Sequence, residues 1–235
     1  MTQKIPTAPH RWRLAPKRAV AVQNALRGQV RLRHAAAPRR IVGLDCAFSG
    51  PDILAVAVVW DVELGRVVET RGARRPLSFP YVPGLLSFRE VPVLLAVLRR
   101  VQTKFDALMC DGQGVAHPRR FGLASHLGVI LQRPAVGCAK SRLTGTHQPV
   151  GERRGDTTPL MDGAERIGTV LRTRDGVRPL FVSPGHLCDH DNSVEWVLAC
   201  GVGYRMPEPT RLADRLVASY KKESRFRGGI QVAAN

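Results

Sequence analysis

Between Ile41 and Arg71 the chain carries three strand-like runs joined by links too short to hold a helix. They are IVGLDCAF (Ile41–Phe48), ILAVAVVW (Ile53–Trp60) and the stretch Arg66–Arg71, separated by Ser49-Gly50-Pro51-Asp52 and by a turn at Glu63-Leu64-Gly65. Apolar runs of this length bounded by Gly, Pro and Asp are strands, and consecutive strands so linked pair most simply as an antiparallel meander. One residue breaks the pattern. Asp45 stands mid-run among Val42, Leu44, Cys46 and Phe48, and a lone buried carboxylate costs several kcal/mol unless it is paired or bound to a cation. An internal ion pair is the plain explanation; a bound metal is the one favoured here.

After the meander the pattern alternates. Pro80 and Pro83 bracket Tyr81 and Val82 in a stiff loop that turns at Gly84. Ser87, with Glu90 three residues on, has the spacing of a capping box and opens a helix through Leu94, Leu95 and Leu98 to about Gln102. The short apolar run Ala107–Cys110 is a buried strand ending on Asp111, followed by Gly112 and Gly114. A carboxylate there sits where open α/β sheets place their ligands, although Asp-Gly is also ordinary turn punctuation. A helix over Arg119–Gly128 and a strand over Pro134–Cys138, ending near Lys140, follow. Alternation of this kind implies parallel strands joined by right-handed crossovers. Thr144–Asp162 is loop-rich, Arg166–Arg174 and Leu180–Ser183 form a hairpin around Asp175-Gly176, and Asn192–Cys200 and Thr210–Tyr220 are helical. Ahead of the meander, Val22, Leu26 and Val30 share one face of a helix over Arg18–Arg33. With no repeat and no linker, a single domain is expected over residues 18–220. Residues 1–17 read as a basic lead-in, and residues 221–235 as a tail with too little hydrophobic pattern to order.

The formal net charge is +17 and the pI about 11.0. Such an excess points to a polyanion, with nucleic acid ahead of membrane, since no basic amphipathic helix with a bulky aromatic face is evident. A generally basic proteome would give the same balance, so charge alone does not name the partner. No apolar run is long enough to span a bilayer and no secretory signal opens the chain; a cytoplasmic, soluble protein is expected. The cysteine count of 5 is odd, which argues against a disulfide framework. His186, Cys188 and His190 make a cluster, but no fourth zinc ligand is evident at a suitable spacing.

Four acids remain, in a telling order: one on the first strand, one in the first turn of the next helix, one ending a strand, and Asp214 on a late helix. Glu90 and Asp214 also have bland readings, as a capping residue and as a solvent-facing helix position beside arginines. Together the order is that of a ribonuclease-H-like α/β fold, an antiparallel three-strand meander plus parallel strands flanked by helices, in which such acids converge on Mg²⁺. The words around them are more specific. GLDCAF, PYVPGLLSFRE, DGQGVAHPRRFGLASHLG, GCAKSRL, PLFVSPGH and YRMPEPTRLAD, spread from about Arg18 to Asp214, resemble the endonuclease V family.

That resemblance implies a Mg²⁺-dependent DNA-repair enzyme, with Mn²⁺ expected to substitute. Its substrate is DNA containing deoxyinosine, cut at the second phosphodiester bond on the 3′ side of the lesion. By position, Asp45 and Asp111 match metal ligands, and Glu90 matches an acid acting through metal-bound water. Lys140 matches a lysine near the reacting phosphate, and Asp214 falls where members carry His or Asp. Tyr81 matches a wedge that fills the space left by the flipped lesion. Gly84, Leu86, Gly112 and Gly114 match the backbone lining of the base pocket, and Pro83, His117 and Arg119 join the expected DNA-facing set. Gln113 sits where some members have His. Arg89 and Arg120 are further candidates for phosphates, or solvated charges. The readings left beside this one are an endonuclease for inosine-containing RNA and a non-catalytic basic nucleic-acid binder of the same fold. A monomer is expected.

Overall fold

The computed structural model describes residues 4–224. The short links produce the meander they require: β1 (Arg40–Ser49), β2 (Asp52–Asp61) and β3 (Arg66–Pro76) pair antiparallel. β4 (Ala107–Cys110) and β5 (Ala135–Ala139) add in parallel beside β1. β8 (Leu180–His186), β7 (Glu165–Leu171) and β6 (Thr157–Asp162) continue antiparallel from β5. The result is an eight-stranded mixed sheet ordered β3-β2-β1-β4-β5-β8-β7-β6, a ribonuclease-H-like fold.

The period-2 alternation of strands decides which helix covers which face. On β2, Ile53, Ala55, Ala57 and Val59 turn to one face, where they meet α2 (Leu86–Leu98), and α3 (Leu123–Leu131) extends the same core over β5 and β8. Leu54, Val56 and Val58 turn to the other, against Ala213 and Val217 of α5 (Glu208–Ser224). α4 (His190–Ala199) covers the same side farther along through Trp196 and Val197. A central strand buried on both faces must be apolar throughout, and each such side chain removed from water contributes roughly 1.5–3 kcal/mol. α5 crosses β1 at close range: a Cβ on Gly43 would lie 2.1 Å from the Pro209 carbonyl carbon. Only glycine lets the start of that helix, and so Asp214, come this near the sheet.

Several elements differ from expectation. α1 (Pro16–Leu26) stops before Val30 and passes into a 3-10 turn at Arg27–Gln29. The capping box does not form. Leu85 is the N-cap of α2 and Ser87 already lies inside the helix, bonded to His126 Nδ1 at 3.0 Å. α3 begins at Leu123, because Arg120 adopts a left-handed φ of 54° and Gly122 is extended. β6 occupies part of the stretch expected to be loop. It is an edge strand carrying Pro159, a position where a missing N–H is tolerated. α5 runs on past Tyr220 to Ser224; the remainder of the expected tail lies outside the described residues.

The N-terminal stretch is packed rather than loose. Ile5, Ala8 and Trp12 rest on the main core, and His10 and Trp12 join Phe88 and His126 in an aromatic cluster. A carbonyl can only accept, so His10 Nδ1–H donates to Arg11 O at 2.9 Å. His10 Nε2 must then accept from His126 Nε2–H at 2.8 Å, which leaves His126 Nδ1 to accept the Ser87 hydroxyl. The tautomers of both rings follow from this one chain of bonds.

Candidate active site

Parallel pairing sets Leu44 of β1 against Cys110 of β4. The residues that follow, Asp45 and Asp111, therefore stand side by side, and the Asp111 N–H reaches Leu44 O at 3.4 Å. Glu90 reaches the same place from α2. Burial pushes Asp45 up to about 7, with the charge of Asp111 adding to it. Burial pushes Glu90 up to about 8, reinforced by Asp45 and then Asp111. Burial raises Asp111 too, against the hydrogen bond it accepts from Lys140. Lys140 follows β5 and sets its ammonium 2.6 Å from Asp111 and 3.2 Å from Asp214 of α5. Burial works against that charge, but the bonds to Asp111 and Asp214 hold Lys140 at about 12. The fold thus drives like charges together and gives them one ammonium in partial balance. Among the described residues no three Asp, Glu, His or Cys side chains stand as a closed ligand group; Asp111 is taken up by Lys140. The donor set is all carboxylate oxygen, which suits a hard cation such as Mg²⁺ and not a soft one.

Beside the carboxylates opens a cavity of about 410 Å³, lined by Tyr81, Pro83, Gly84, Leu86, Gly112, His117 and Lys140 among others. Asp111 belongs to both the cavity wall and the acid cluster. The wall is held by one carbonyl. Gly84, at φ +74°, offers its oxygen to Gln23 Nε2 at 3.0 Å, His117 Nε2 at 3.0 Å and Arg119 Nη2 at 2.7 Å. His117 Nδ1 accepts the Arg119 N–H at 3.1 Å, so its proton is on Nε2. Burial and then the neighbouring Arg119 charge push His117 down to about 4, leaving the ring neutral near pH 7. Arg119 Nε closes the network on Gln23 Oε1 at 2.6 Å. A Cβ at Gly84 would fall 2.6 Å from Arg119 Nη2, so any other residue would meet both the backbone strain and the guanidinium.

Tyr81, in the loop so anchored, is 75% exposed. Its ring therefore does not hold the loop from within the core. The Arg89 guanidinium lies 5.7 Å from its ring and 4.5 Å from that of Phe48.

Other expected residues stand elsewhere. Gly114 is behind the cavity, where a Cβ would meet Pro184 O at 2.2 Å; its glycine serves backbone packing against β8. Arg119 points its donors at Gly84 and Gln23, and Arg120 pairs with Asp162 and Glu165. Cys188 Sγ bonds Ala135 O at 3.1 Å and His186 Nδ1 accepts from the Arg31 N–H at 3.2 Å, so these two lead to different partners. Sequence reasoning missed Gln23, 1% exposed, and the cavity-lining loop Ser141, Arg142 and Leu143. Gln23 was readable: it falls between Ala19 and Leu26 on the buried stripe of α1, a polar residue in an apolar face.

Comparison with known proteins gives the family and the fold. A family model described as Endonuclease V matches residues 24–215. The endonuclease V of Trichormus variabilis is 46% identical over 216 residues, 90% of this chain and 97% of that protein. The crystal structure of endonuclease V from Streptomyces avermitilis matches with a TM-score of 0.87 at 44% identity, over 93% of this chain and 98% of the other. Endonuclease V of Ciona intestinalis, solved with a 24mer DNA containing an inosine followed by a ribo-adenosine, shares the fold at TM-score 0.77 and 23% identity, over 88% and 98%.

Proposed function

The chain belongs to the endonuclease V family, and from that premise we propose a Mg²⁺-dependent endonuclease of DNA repair. It recognises deoxyinosine and cuts the second phosphodiester bond on its 3′ side, acting as a monomer through one catalytic unit over residues 18–220. The observation that carries the reading is that Asp111 serves two places at once, the wall of the cavity and the cluster of acids. A base taken into the cavity leaves its own strand beside the carboxylates.

In this mechanism the base leaves the duplex stack. The exposed ring of Tyr81 occupies the gap, on a loop that the three donors to Gly84 O keep from moving. The cavity wall, with neutral His117 and backbone groups at Gly84, Leu86 and Gly112, surrounds the extruded base. Asp45 and Asp111 would hold the metal, which when bound supplies an activated water and stabilises the leaving 3′ oxygen. Glu90, held up to about 8 by burial and its acidic neighbours, can keep or yield a proton near neutral pH. Lys140 sets a positive charge beside Asp111 and Asp214, in reach of a phosphate lying against them. Mn²⁺, another oxygen-seeking cation, substitutes for Mg²⁺.

A duplex with one deoxyinosine, incubated with and without Mg²⁺ and run on a denaturing gel, tests this. The expected result is one nick in the inosine strand, one nucleotide farther 3′ than the bond adjoining the lesion, and only with metal. Equal cutting of an undamaged duplex would overturn the specificity, and binding without cutting would make the protein a non-catalytic binder. Repeating the assay with inosine in RNA separates the two sugars.

A further inference from the structure

The acid cluster has two flanks. The cavity and Tyr81 form one. On the other, the loop between α4 and α5 carries Tyr204, 51% exposed. The Arg211 guanidinium covers one face of its ring at 4.1 Å from the centroid. That guanidinium is fixed by Glu208, with Nε to Oε1 at 2.7 Å and Nη2 to Oε2 at 2.8 Å, a paired geometry that sets the plane as well as the charge. The loop itself is tied down by Arg205. Its Nε reaches Arg178 O at 2.8 Å, and its Nη2 reaches Lys140 O at 2.7 Å and Pro179 O at 2.9 Å. The Arg205 carbonyl accepts the Thr173 hydroxyl at 2.5 Å. The ring is therefore placed in advance, with one face open.

Its position follows from the same bonds. Arg205 grips the backbone of Lys140, whose ammonium touches Asp111 and Asp214. Arg211 and Asp214 are three residues apart on α5 and so are neighbours on one side of that helix. Cavity, Asp111, Lys140, Asp214, Arg211 and Tyr204 thus form a continuous series. An open aromatic face beside a cation is what an unpaired nucleic-acid strand stacks on, and the chain's charge of +17 suits a polyanion.

We propose that Tyr204, backed by Arg211, is a stacking platform for the unpaired strand on the 3′ side of the cleaved bond. The direction rests on the substrate reading above. With inosine in the cavity and the cut 3′ to it, the strand passes the carboxylates and meets Tyr204 next. The platform holds the segment that becomes the 5′-phosphorylated product.

The test is an interaction between a mutation and substrate length. Single-stranded inosine oligonucleotides ending about three or about ten nucleotides 3′ to the lesion are compared. The wild type gains in kcat/KM from the longer flank, and Tyr204→Ala loses that gain, roughly tenfold, the size expected of one stacked base. Tyr204→Phe, which keeps the ring, retains it. A Tyr204→Ala defect equal at both lengths, with a lowered melting temperature, would mean that the ring only shields the Arg211–Glu208 pair, and the proposal fails. No defect at either length also overturns it. Fluorescence anisotropy of the same strands with and without inosine separates the two claims. If the wild type binds both alike, the substrate reading fails, while weaker binding of only the longer strand by Tyr204→Ala keeps the platform. Binding by Tyr204→Ala like wild type at both lengths rejects the platform whatever the substrate.

Discussion

The two halves of the site, which share Asp111, are built on opposite electrostatic terms. In the cavity wall one carbonyl, Gly84 O, takes bonds from Gln23, His117 and Arg119, and Arg119 in turn finds Gln23. Around the acids the reverse holds. Asp45, Glu90 and Asp111 are all raised, first by burial and, for Asp45 and Glu90, then by another acid of the cluster. A satisfied network stabilises the fold and keeps a shape. A crowd of like charges weakens the fold and, on the proposed reading, keeps an affinity for a cation. The same sheet end carries both, so mutations on the two sides should move stability in opposite directions.

The largest effect separates them most sharply. Asp45→Asn or Asp111→Asn should lower cleavage by about 10³-fold or more, since on the proposed reading each removes an oxygen that would hold the metal. Asp45→Asn, which breaks no ion pair among the described residues, should raise the melting temperature of the metal-free protein by about 2–4 °C, the shift produced by about 1 kcal/mol in a chain this size, while Asp111→Asn also breaks the 2.6 Å pair with Lys140 and should gain less. A drop in melting temperature in Asp45→Asn would contradict the account of the acids as mutually repelling. On the cavity side, Gln23→Ala leaves Arg119 and Gly84 with fewer partners. It should destabilise by about 1–3 kcal/mol and lower kcat/KM for inosine duplexes by roughly 10- to 100-fold. A thermal melt beside a single-turnover assay reads both, and unchanged values would remove Gln23 from the network's role.

Tyr81→Ala tests the part of the cavity side that faces water. Stacking is worth roughly 1–3 kcal/mol per base, so inosine discrimination in duplex should fall about tenfold, and less in single strands, where less stacking is lost. The melting temperature should hold, because the ring is exposed; a clear fall would return Tyr81 to a structural role. The last expected effect concerns metal and is read in stability alone. Mg²⁺ at ten times its dissociation constant adds about 1.4 kcal/mol to stability, a rise of about 3–6 °C in wild type. In Asp111→Asn calorimetry should show little or none.

The acid side was the more legible in sequence, for a physical reason. Asp45 contradicts its own strand, and a contradiction inside an apolar run is local information. The meander and the strand ending at Asp111 were equally local, set by short links and by period-2 burial. What depended on distant partners was not legible. Gln23 bonds to oxygens 61 and 98 residues away. Ser87 and Glu90 have the spacing of a capping box, yet His126, 39 residues on, takes the serine. β6 was hidden because Thr157–Asp162 includes a proline and gains its strand character from β7 and from a bridge between Met161 and Thr146. Arg119 turns its donors to Gly84 O and Gln23 Oε1, 35 and 96 residues away, while His117 stands in the cavity wall.

The packed N-terminal stretch has a consequence in time. His10 bonds a ring 116 residues farther along, and Ser87, which that ring also holds, lines the cavity. During synthesis the first of these residues leaves the ribosome well before α3 exists to receive it. At about 5–20 residues per second, His10 waits on the order of ten seconds for His126. Closure of the cavity floor is thus a late step of biogenesis. Until it happens, Trp12 and Phe88 lack the His126 ring that packs against both.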